Sequence, residues 1–330
     1  MTTLGASLVT LDDIAAAAER IRGVARRTPL IEMSWPDAPA GDLSRRLFLK
    51  AEHLQPMGAF KIRGAYNYLA QLPEAERRRG VITYSSGNHG QAVALAAKLM
   101  GVAAVVVMPT TAPPVKVEGA RAFGAEVLFE GTTTIQRQTR AETEAAARGM
   151  AIVPPFDHAW IIAGQGTAGL EIIDQCPSVG TVYVQIGGGG LISGVAAAVK
   201  RRRPDVRVIG VEPTGAAKMS RSIAEGRPVT LDRTGGIADG LLAVRPGDLN
   251  FAHVRAFVDE IVTVDDRAIE RALGWLFRVA RQVVEPSGAA AVAAIIAGLG
   301  TPNPTGDTVA VLSGGNVEMT ALLKHIGATS

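Results

Sequence analysis

Short runs rich in β-branched residues alternate with longer helical patterns along most of this chain, and this alternation restricts its fold more than any other feature. The predicted strands are 80–84, 102–108, 126–129, 182–186, 206–211 and 308–312. The predicted helices between them are 91–100, 113–123, 135–148, 163–175 and 191–203. Strands that alternate with helices in this way form parallel sheets covered by helices on both faces. We therefore predict an α/β protein with twisted, mostly parallel sheets flanked by helices.

The length of the chain predicts two domains. It has 330 residues, of which 47% are hydrophobic, enough for large buried cores. The composition changes near Pro154 and Pro155, after the first three predicted strands. We predict that residues 80–156 form a small domain with its own sheet, and that residues 1–79 and 157–330 form a larger domain. Ligands of such folds bind in the crevice at the carboxyl ends of the strands.

The charge of the chain gives no reason to expect a nucleic-acid partner. The net charge is +3, and the basic runs at 77–79 and 200–203 stand where helices should end, which favours cations. Aromatic residues make up 5% of the chain and do not interleave with those runs. No signal peptide is visible, and the apolar stretch at 289–299 is too short to cross a bilayer. The single cysteine, Cys176, allows no intramolecular disulfide, and we expect a cytoplasmic protein.

Four consecutive glycines, Gly187, Gly188, Gly189 and Gly190, stand between a predicted strand and a predicted helix. Backbone N–H groups without neighbouring Cβ atoms can converge there on an anion, and the helix dipole adds positive potential. This arrangement predicts a phosphate. The spacing differs from that of a nucleoside triphosphate loop, and a dinucleotide is a weaker alternative that depends on Glu212.

Four loops follow predicted strands and precede helices, which should bring them together at one edge of the sheets. They are 85–90 (SSGNHG), 187–190 (GGGG), 212–214 (EPT) and 313–316 (SGGN). With the sequence GAFKIRGA at 58–65, these motifs resemble the fold type II family of pyridoxal-phosphate enzymes, in its threonine dehydratase and serine racemase branch. The similarity extends from about residue 11 to the end of the chain. The combination is far more specific than any one motif.

The resemblance implies that the larger domain binds pyridoxal 5'-phosphate. Lys61 would form the covalent imine with the cofactor aldehyde and then act as the base, and Phe60 would pack near the ring. Ser313 would face the pyridine nitrogen with a neutral hydroxyl, which favours elimination over chemistry that needs a stronger electron sink. The other implied cofactor contacts are Asn88, Gly187, Gly188, Gly189, Gly190, Leu191 and Glu285.

The resemblance also implies a substrate site at the start of a helix, where N–H groups and hydroxyls can hold a carboxylate. Its members are Ser85, Ser86, Gly87, Asn88, His89 and Asp239. Ser86 stands where racemases place an acid or base on the cofactor face opposite Lys61, so it is also a candidate catalytic residue. A purely structural role for His89 stays an alternative.

The activity that the resemblance implies is dehydration of a β-hydroxy amino acid to a 2-oxo acid and ammonia. Gln136 stands near the place of an arginine of serine-specific racemases, and Phe156 and Ala243 are more apolar than their counterparts. We therefore expect L-threonine as the substrate, followed by L-serine. The alternatives are serine racemase activity and dehydration of threo-3-hydroxyaspartate or phenylserine. A cysteine synthase-like enzyme is disfavoured by SGNH at 86–89, and a nucleotide or nucleic-acid binder would not need Lys61.

Relatives with a divalent-cation site use a glutamate, a backbone carbonyl and an aspartate after the Val-Glu-Pro sequence. Here Glu212 and Ala216 align with the first two ligands, but Lys218 replaces the aspartate. Oxygen ligands suit magnesium or calcium and an ammonium does not, so we predict no metal and a Lys218 that fills the cation position.

The resemblance further implies a short form without the regulatory extension of biosynthetic threonine dehydratases, because the sequence ends at Ser330. Relatives of this kind are usually dimers. We therefore expect a homodimer whose other partner is a small amino-acid substrate, with neither nucleic acid nor membrane involved.

Overall fold

The computed structural model describes residues 7–36, 46–85 and 87–327. The strands are β1 (Leu30–Ser34), β2 (Arg46–Lys50), β3 (Val81–Tyr84), β4 (Ala104–Met108), β5 (Glu126–Phe129), β6 (Ala151–Ile152), β7 (Val179–Gln185), β8 (Arg207–Pro213), β9 (Glu260–Val264) and β10 (Asp307–Val311). The helices are α1 (Leu11–Arg20), α2 (Ile62–Gln71), α3 (Glu74–Arg78), α4 (Asn88–Met100), α5 (Pro114–Ala122), α6 (Thr134–Arg148), α7 (Ala159–Gln175), α8 (Gly190–Arg202), α9 (Lys218–Glu225), α10 (Asp248–Phe257), α11 (Asp266–Arg278), α12 (Pro286–Ile296) and α13 (Met319–Gly327). Short 3-10 helices cover Glu52–Leu54, Thr214–Ala216 and Asp239–Leu241.

The larger sheet has six strands in the order β1-β2-β10-β7-β8-β9. All neighbours are parallel except β1 and β2, which pair antiparallel. Every residue of β7 and β10 is buried, as expected for central strands of a parallel sheet covered on both faces. Helices α11 and α12 belong to the core on one face, and α7 and α8 to the core on the other.

The smaller sheet has four parallel strands in the order β5-β4-β3-β6. Helix α4 packs in the core on one face of this sheet, and α6 packs on the other. All four strands lie within the segment 80–156, for which the sequence predicts a sheet of its own. The exact domain boundaries stay a prediction.

Two chain segments distant in sequence meet at the carboxyl edge of the larger sheet. The backbone of Ala59 bridges that of Gly314, and the Phe60 N–H donates to the Ser313 carbonyl at 3.0 Å. This pairing fixes the start of α2 against the loop after β10. Lys61, which directly precedes α2, therefore lies at the edge where β7 and β10 end.

The α/β class with parallel sheets flanked by helices is confirmed. Thr10 and Asp13 form a capping box at the start of α1. Four strands were not predicted: β1, β2, β6 and β9. Among residues 7–36, 46–85 and 87–327, no helix combines the length and apolar character needed to span a membrane.

Candidate active site

Lys61 lies in a partly buried cleft between the two sheets. Its Nζ donates a hydrogen bond to the Pro155 carbonyl at 2.7 Å and lies 5.3 Å from the centre of the Phe60 ring. Burial lowers the pKa of Lys61 from 10.5 to about 8. About a tenth of this amine is therefore uncharged at pH 7, against less than a thousandth at the ordinary pKa, and a nucleophile or a base requires that form.

The glycine loop joins the end of β7 to the start of α8. Gly189 has φ +109°, a conformation that side chains rarely adopt, and a Cβ at Gly188 would lie 2.4 Å from the Phe156 ring. Within the described residues, no acceptor receives a hydrogen bond from the N–H groups of 187–191. Because these donors lie at the positive end of α8, the loop has the donor set that a phosphate needs.

The Pro155-Phe156 segment connects the amine and the glycine loop. The Pro155 carbonyl accepts the Lys61 hydrogen bond, and the next residue, Phe156, packs on Gly188 and Gly190. Leu191, which follows the glycines, is buried in the core beneath them. The Lys61 amine and the glycine loop therefore contact neighbouring residues of one segment.

Polar side chains from three segments meet beside the bridge between Ala59 and Gly314. Asn88 donates from Nδ2 to Glu285 Oε1 at 2.5 Å, and its Oδ1 accepts from Asn316 Nδ2 at 2.8 Å. Burial raises the pKa of Glu285 to about 7. Ser313 is buried, and its backbone carbonyl accepts a hydrogen bond from the Phe60 N–H at 3.0 Å. Ser313 therefore lies beside the segment that carries Lys61.

The predicted substrate residues surround the start of α4. Gly87 immediately precedes this helix, and its N–H donates to Ser85 Oγ at 3.1 Å. His89 is buried with Nε2 3.3 Å from the Val153 carbonyl, and burial together with Lys61 lowers its pKa to about 3. His89 is thus neutral at physiological pH. Ser86, the other predicted catalytic residue, lies outside the described residues.

Phe156 and Gln136, which the sequence analysis uses to predict the substrate, have different surroundings in the structure. Phe156 packs on the glycine loop, as described above. Gln136 forms the capping box at the start of α6, where its Oε1 accepts from the Thr133 N–H at 3.1 Å. Its carboxamide is therefore occupied by the helix terminus.

Arg63 belongs to a buried ion network behind Lys61. It donates to Glu52 at 2.7 and 2.8 Å and to Glu171 at 2.7 and 2.8 Å. Burial opposes its charge, but the two carboxylates raise the pKa of Arg63 above its ordinary value. Burial alone would raise the pKa of Glu52, yet the guanidinium lowers it to about 2. This network anchors α2 and so fixes the position of Lys61.

Lys218 lies in a cage of oxygen atoms below the glycine loop and is fully buried. Its Nζ donates at 3.0 Å to each of the carbonyls of Ile186, Ala216 and Leu241, and it lies 3.2 Å from Glu212 Oε1. Burial lowers the pKa of Lys218, and the Glu212 carboxylate opposes that shift. An ammonium therefore occupies the centre of an oxygen-lined space.

Sequence reasoning missed one charged residue of the cleft, Lys116. Its Nζ forms an ion pair with the Asp239 carboxylate, and a Cβ at Gly87 would lie 3.2 Å from that Nζ. The sequence offered one indication of this pair. Lys116 lies in the first turn of α5, where the helix dipole disfavours a cation, so an acidic partner could have been expected.

Comparisons with known proteins agree with this chemistry. The family model described as pyridoxal-phosphate dependent enzyme matches residues 21–314. L-threonine ammonia-lyase of Thermotoga maritima is 42% identical over 313 residues, which cover 94% of this chain and 77% of that protein. L-threo-3-hydroxyaspartate ammonia-lyase of a Pseudomonas species is 39% identical over 288 residues, covering 87% and 89%. The structure of maize serine racemase matches with a TM-score of 0.91 at 38% identity and covers 98% of both chains.

These matches confirm the resemblance inferred from the motifs, and with it the cofactor. The site fits that cofactor on its own evidence, because it offers an amine of lowered pKa and a row of N–H donors without acceptors among the described residues. Both features lie where the strands of a parallel sheet end. The chain belongs to the pyridoxal-phosphate dependent enzymes of fold type II, in the family of threonine dehydratases and serine racemases.

Proposed function

We propose that this protein is an ammonia-lyase that converts a small β-hydroxy amino acid, L-threonine first and L-serine second, to a 2-oxo acid and ammonia. The observation that carries the proposal is the shared cleft of the Lys61 amine and the phosphate donors at 187–191. The 42% identity with an L-threonine ammonia-lyase over 94% of the chain supports the reaction class.

Pyridoxal phosphate, when bound, supplies an electron-withdrawing ring that makes the Cα proton of an attached amino acid removable. Lys61 would hold the cofactor through its amine and, as a partly uncharged amine, would accept that proton. The N–H groups of 187–191 would hold its phosphate. Asn88 would hold its ring oxygen, and Ser313 would offer a neutral hydroxyl to its ring nitrogen.

The substrate carboxylate binds at the start of α4, where Gly87 and Asn88 lie at the positive end of the helix. His89 supports this turn as a neutral, buried ring. Phe156 gives the cleft an apolar wall beside the glycine loop, which suits a methyl group better than a charged one.

Racemisation of serine is the second candidate. The similarity to maize serine racemase over 98% of the chain favours it. In that reaction Ser86 would be the acid or base that acts together with Lys61. Both activities use the same cofactor site and differ in the fate of the substrate after its Cα proton is removed.

The test is a substrate panel with the purified, cofactor-loaded enzyme. L- and D-threonine, L- and D-serine, L-threo-3-hydroxyaspartate and phenylserine are supplied separately, and 2-oxo acid and enantiomer composition are measured. We expect the fastest 2-oxo acid formation from L-threonine. Lys61→Ala should abolish it, while the matched surface variant Lys324→Ala should retain it. The proposal would be contradicted if the enzyme, with its yellow cofactor bound, converted none of these amino acids.

We further propose that the protein is a cytoplasmic homodimer. The division into a cofactor-binding domain, residues 1–79 and 157–330, and a small domain, residues 80–156, agrees with the separation of the two sheets. Sedimentation of the purified enzyme tests the dimer, and limited proteolysis tests the domain boundaries.

A further inference from the structure

Lys116 and Asp239 form an ion pair across the cleft. Lys116 lies in the first turn of α5, beside the smaller sheet, and 6% of its side chain is exposed. Asp239 begins the 3-10 helix Asp239–Leu241, beside the larger sheet, and 45% of its side chain is exposed. The carboxylate thus neutralises a nearly buried ammonium that the dipole of α5 disfavours.

The pair borders the space between the proposed carboxylate site and the phosphate loop. Lys116 Nζ would lie 3.2 Å from a Cβ at Gly87, which precedes α4. On the other side, a Cβ at Gly187 would lie 3.0 Å from the carbonyl of Gly240, the residue that follows Asp239. An amino acid held between these two loops therefore comes close to both charges.

The two charges of this pair cancel, so the pair presents no net charge to the substituent on the substrate Cβ. A second carboxylate on that substituent meets the repulsion of Asp239, and the ammonium that could receive it is already paired. A methyl group or a hydrogen atom experiences neither effect.

We propose that the Lys116–Asp239 pair is a charge filter that selects amino acids with a neutral Cβ substituent against those with a β-carboxylate. The inference rests on the proposed function, whose substrate class it narrows to neutral β-hydroxy amino acids. In this proposal Asp239 repels a second substrate carboxylate. Lys116 could bind that carboxylate only if Asp239 no longer neutralised the ammonium.

The test is the substrate ratio of Asp239→Asn, a variant of nearly the same shape. Its kcat/KM for L-threo-3-hydroxyaspartate relative to L-threonine should rise about 10- to 100-fold, because charges a few ångströms apart interact this strongly at an intermediate dielectric. The same rise should appear in the affinity for L-aspartate relative to L-2-aminobutyrate. These two analogues lack the leaving hydroxyl and are measured by calorimetry, so this readout does not depend on turnover.

Two further variants separate a charge filter from general damage. Lys116→Met with Asp239→Asn should lose the gain, because the receptor ammonium is gone. Asp259→Asn removes the carboxylate of another part-buried pair, with Lys200 at 2.8 Å, and should leave both ratios unchanged. An unchanged ratio in folded Asp239→Asn, or an equal gain in the double variant, overturns the proposal. A wild-type enzyme inactive on all β-hydroxy amino acids would instead refute the proposed function, and the affinity ratio would still test the filter.

Discussion

Replacing Lys218 with methionine should destabilise the protein by about 4 kcal/mol. The ammonium donates at 3.0 Å to the buried carbonyls of Ile186, Ala216 and Leu241, and it lies 3.2 Å from Glu212. Each carbonyl left without a donor costs about 1 kcal/mol, and the lost charge partner of Glu212 adds about 1 kcal/mol.

The contribution of the carboxylate is small for a structural reason. Glu212 keeps hydrogen bonds from the N–H groups of Met219 and Ser220 and from the Ser220 hydroxyl, at 2.8 to 2.9 Å. These donors continue to satisfy the charge after the ammonium is gone. Most of the cost therefore comes from the three carbonyls, one of which immediately precedes the glycine loop.

The assay is equilibrium unfolding in urea, with Lys324→Met as the matched control because Lys324 is exposed. We expect a much lower midpoint for Lys218→Met and the wild-type midpoint for the control. We also expect Lys218→Asp to regain stability when Mg²⁺ is added, because five oxygen-bearing groups then face one space, whereas the wild type should not respond. A wild-type midpoint for Lys218→Met, or stabilisation of the wild type by Mg²⁺, would refute the reasoning.

Two further predictions concern the cofactor cleft. Glu285→Gln should stabilise the protein stripped of pyridoxal phosphate by about 3 kcal/mol at pH 8, since the pKa of Glu285 is raised to about 7 and each unit is about 1.4 kcal/mol. The native state keeps a proton between pH 4.5 and 7 that the unfolded state has lost, so the gain should disappear as the pH falls to 4.5. A gain that is independent of pH in urea titrations would contradict this assignment. Gly188→Ala should displace the Phe156 ring and weaken pyridoxal phosphate binding roughly tenfold, measured by absorbance titration. Gly235→Ala, where a Cβ meets nothing within 4 Å, should bind normally, and equal affinities of the two variants would argue against a crowded glycine loop.

The sequence predicted the parts of the site that lie at strand ends. The glycine loop and Ser313 follow β7 and β10 of the larger sheet, and parallel strands bring their carboxyl ends to one edge. Asn88 follows β3 of the smaller sheet, and Lys61 was placed beside these loops by the family resemblance alone. Central strands such as β7 and β10 were also predictable, because burial on both faces requires a continuous apolar run.

The strands that were missed carry weaker patterns of their own. β6 has two residues and forms only by pairing with β3, and β9 is an edge strand that contains Glu260 and Thr263. Their structure comes from a neighbouring strand. Local sequence therefore does not distinguish them from loops.

The features of the site that were missed are tertiary. The acceptors of Lys218 include backbone carbonyls of Ile186 and Leu241, and a carbonyl has no signature in the residue type. The pairing of Lys116 with Asp239 joins residues 123 positions apart, one in α5 and the other in the 3-10 helix Asp239–Leu241. Only the folded arrangement brings these groups together.

Attachment of the cofactor to the Lys61 amine is tested by reduction of the loaded enzyme with borohydride, followed by peptide mapping. A covalent link between Lys61 and the cofactor aldehyde becomes a stable secondary amine on reduction. The predicted result is a phosphopyridoxyl group on Lys61 and on no other lysine. A colourless enzyme without this modification, or a modification at a different lysine, would contradict the account.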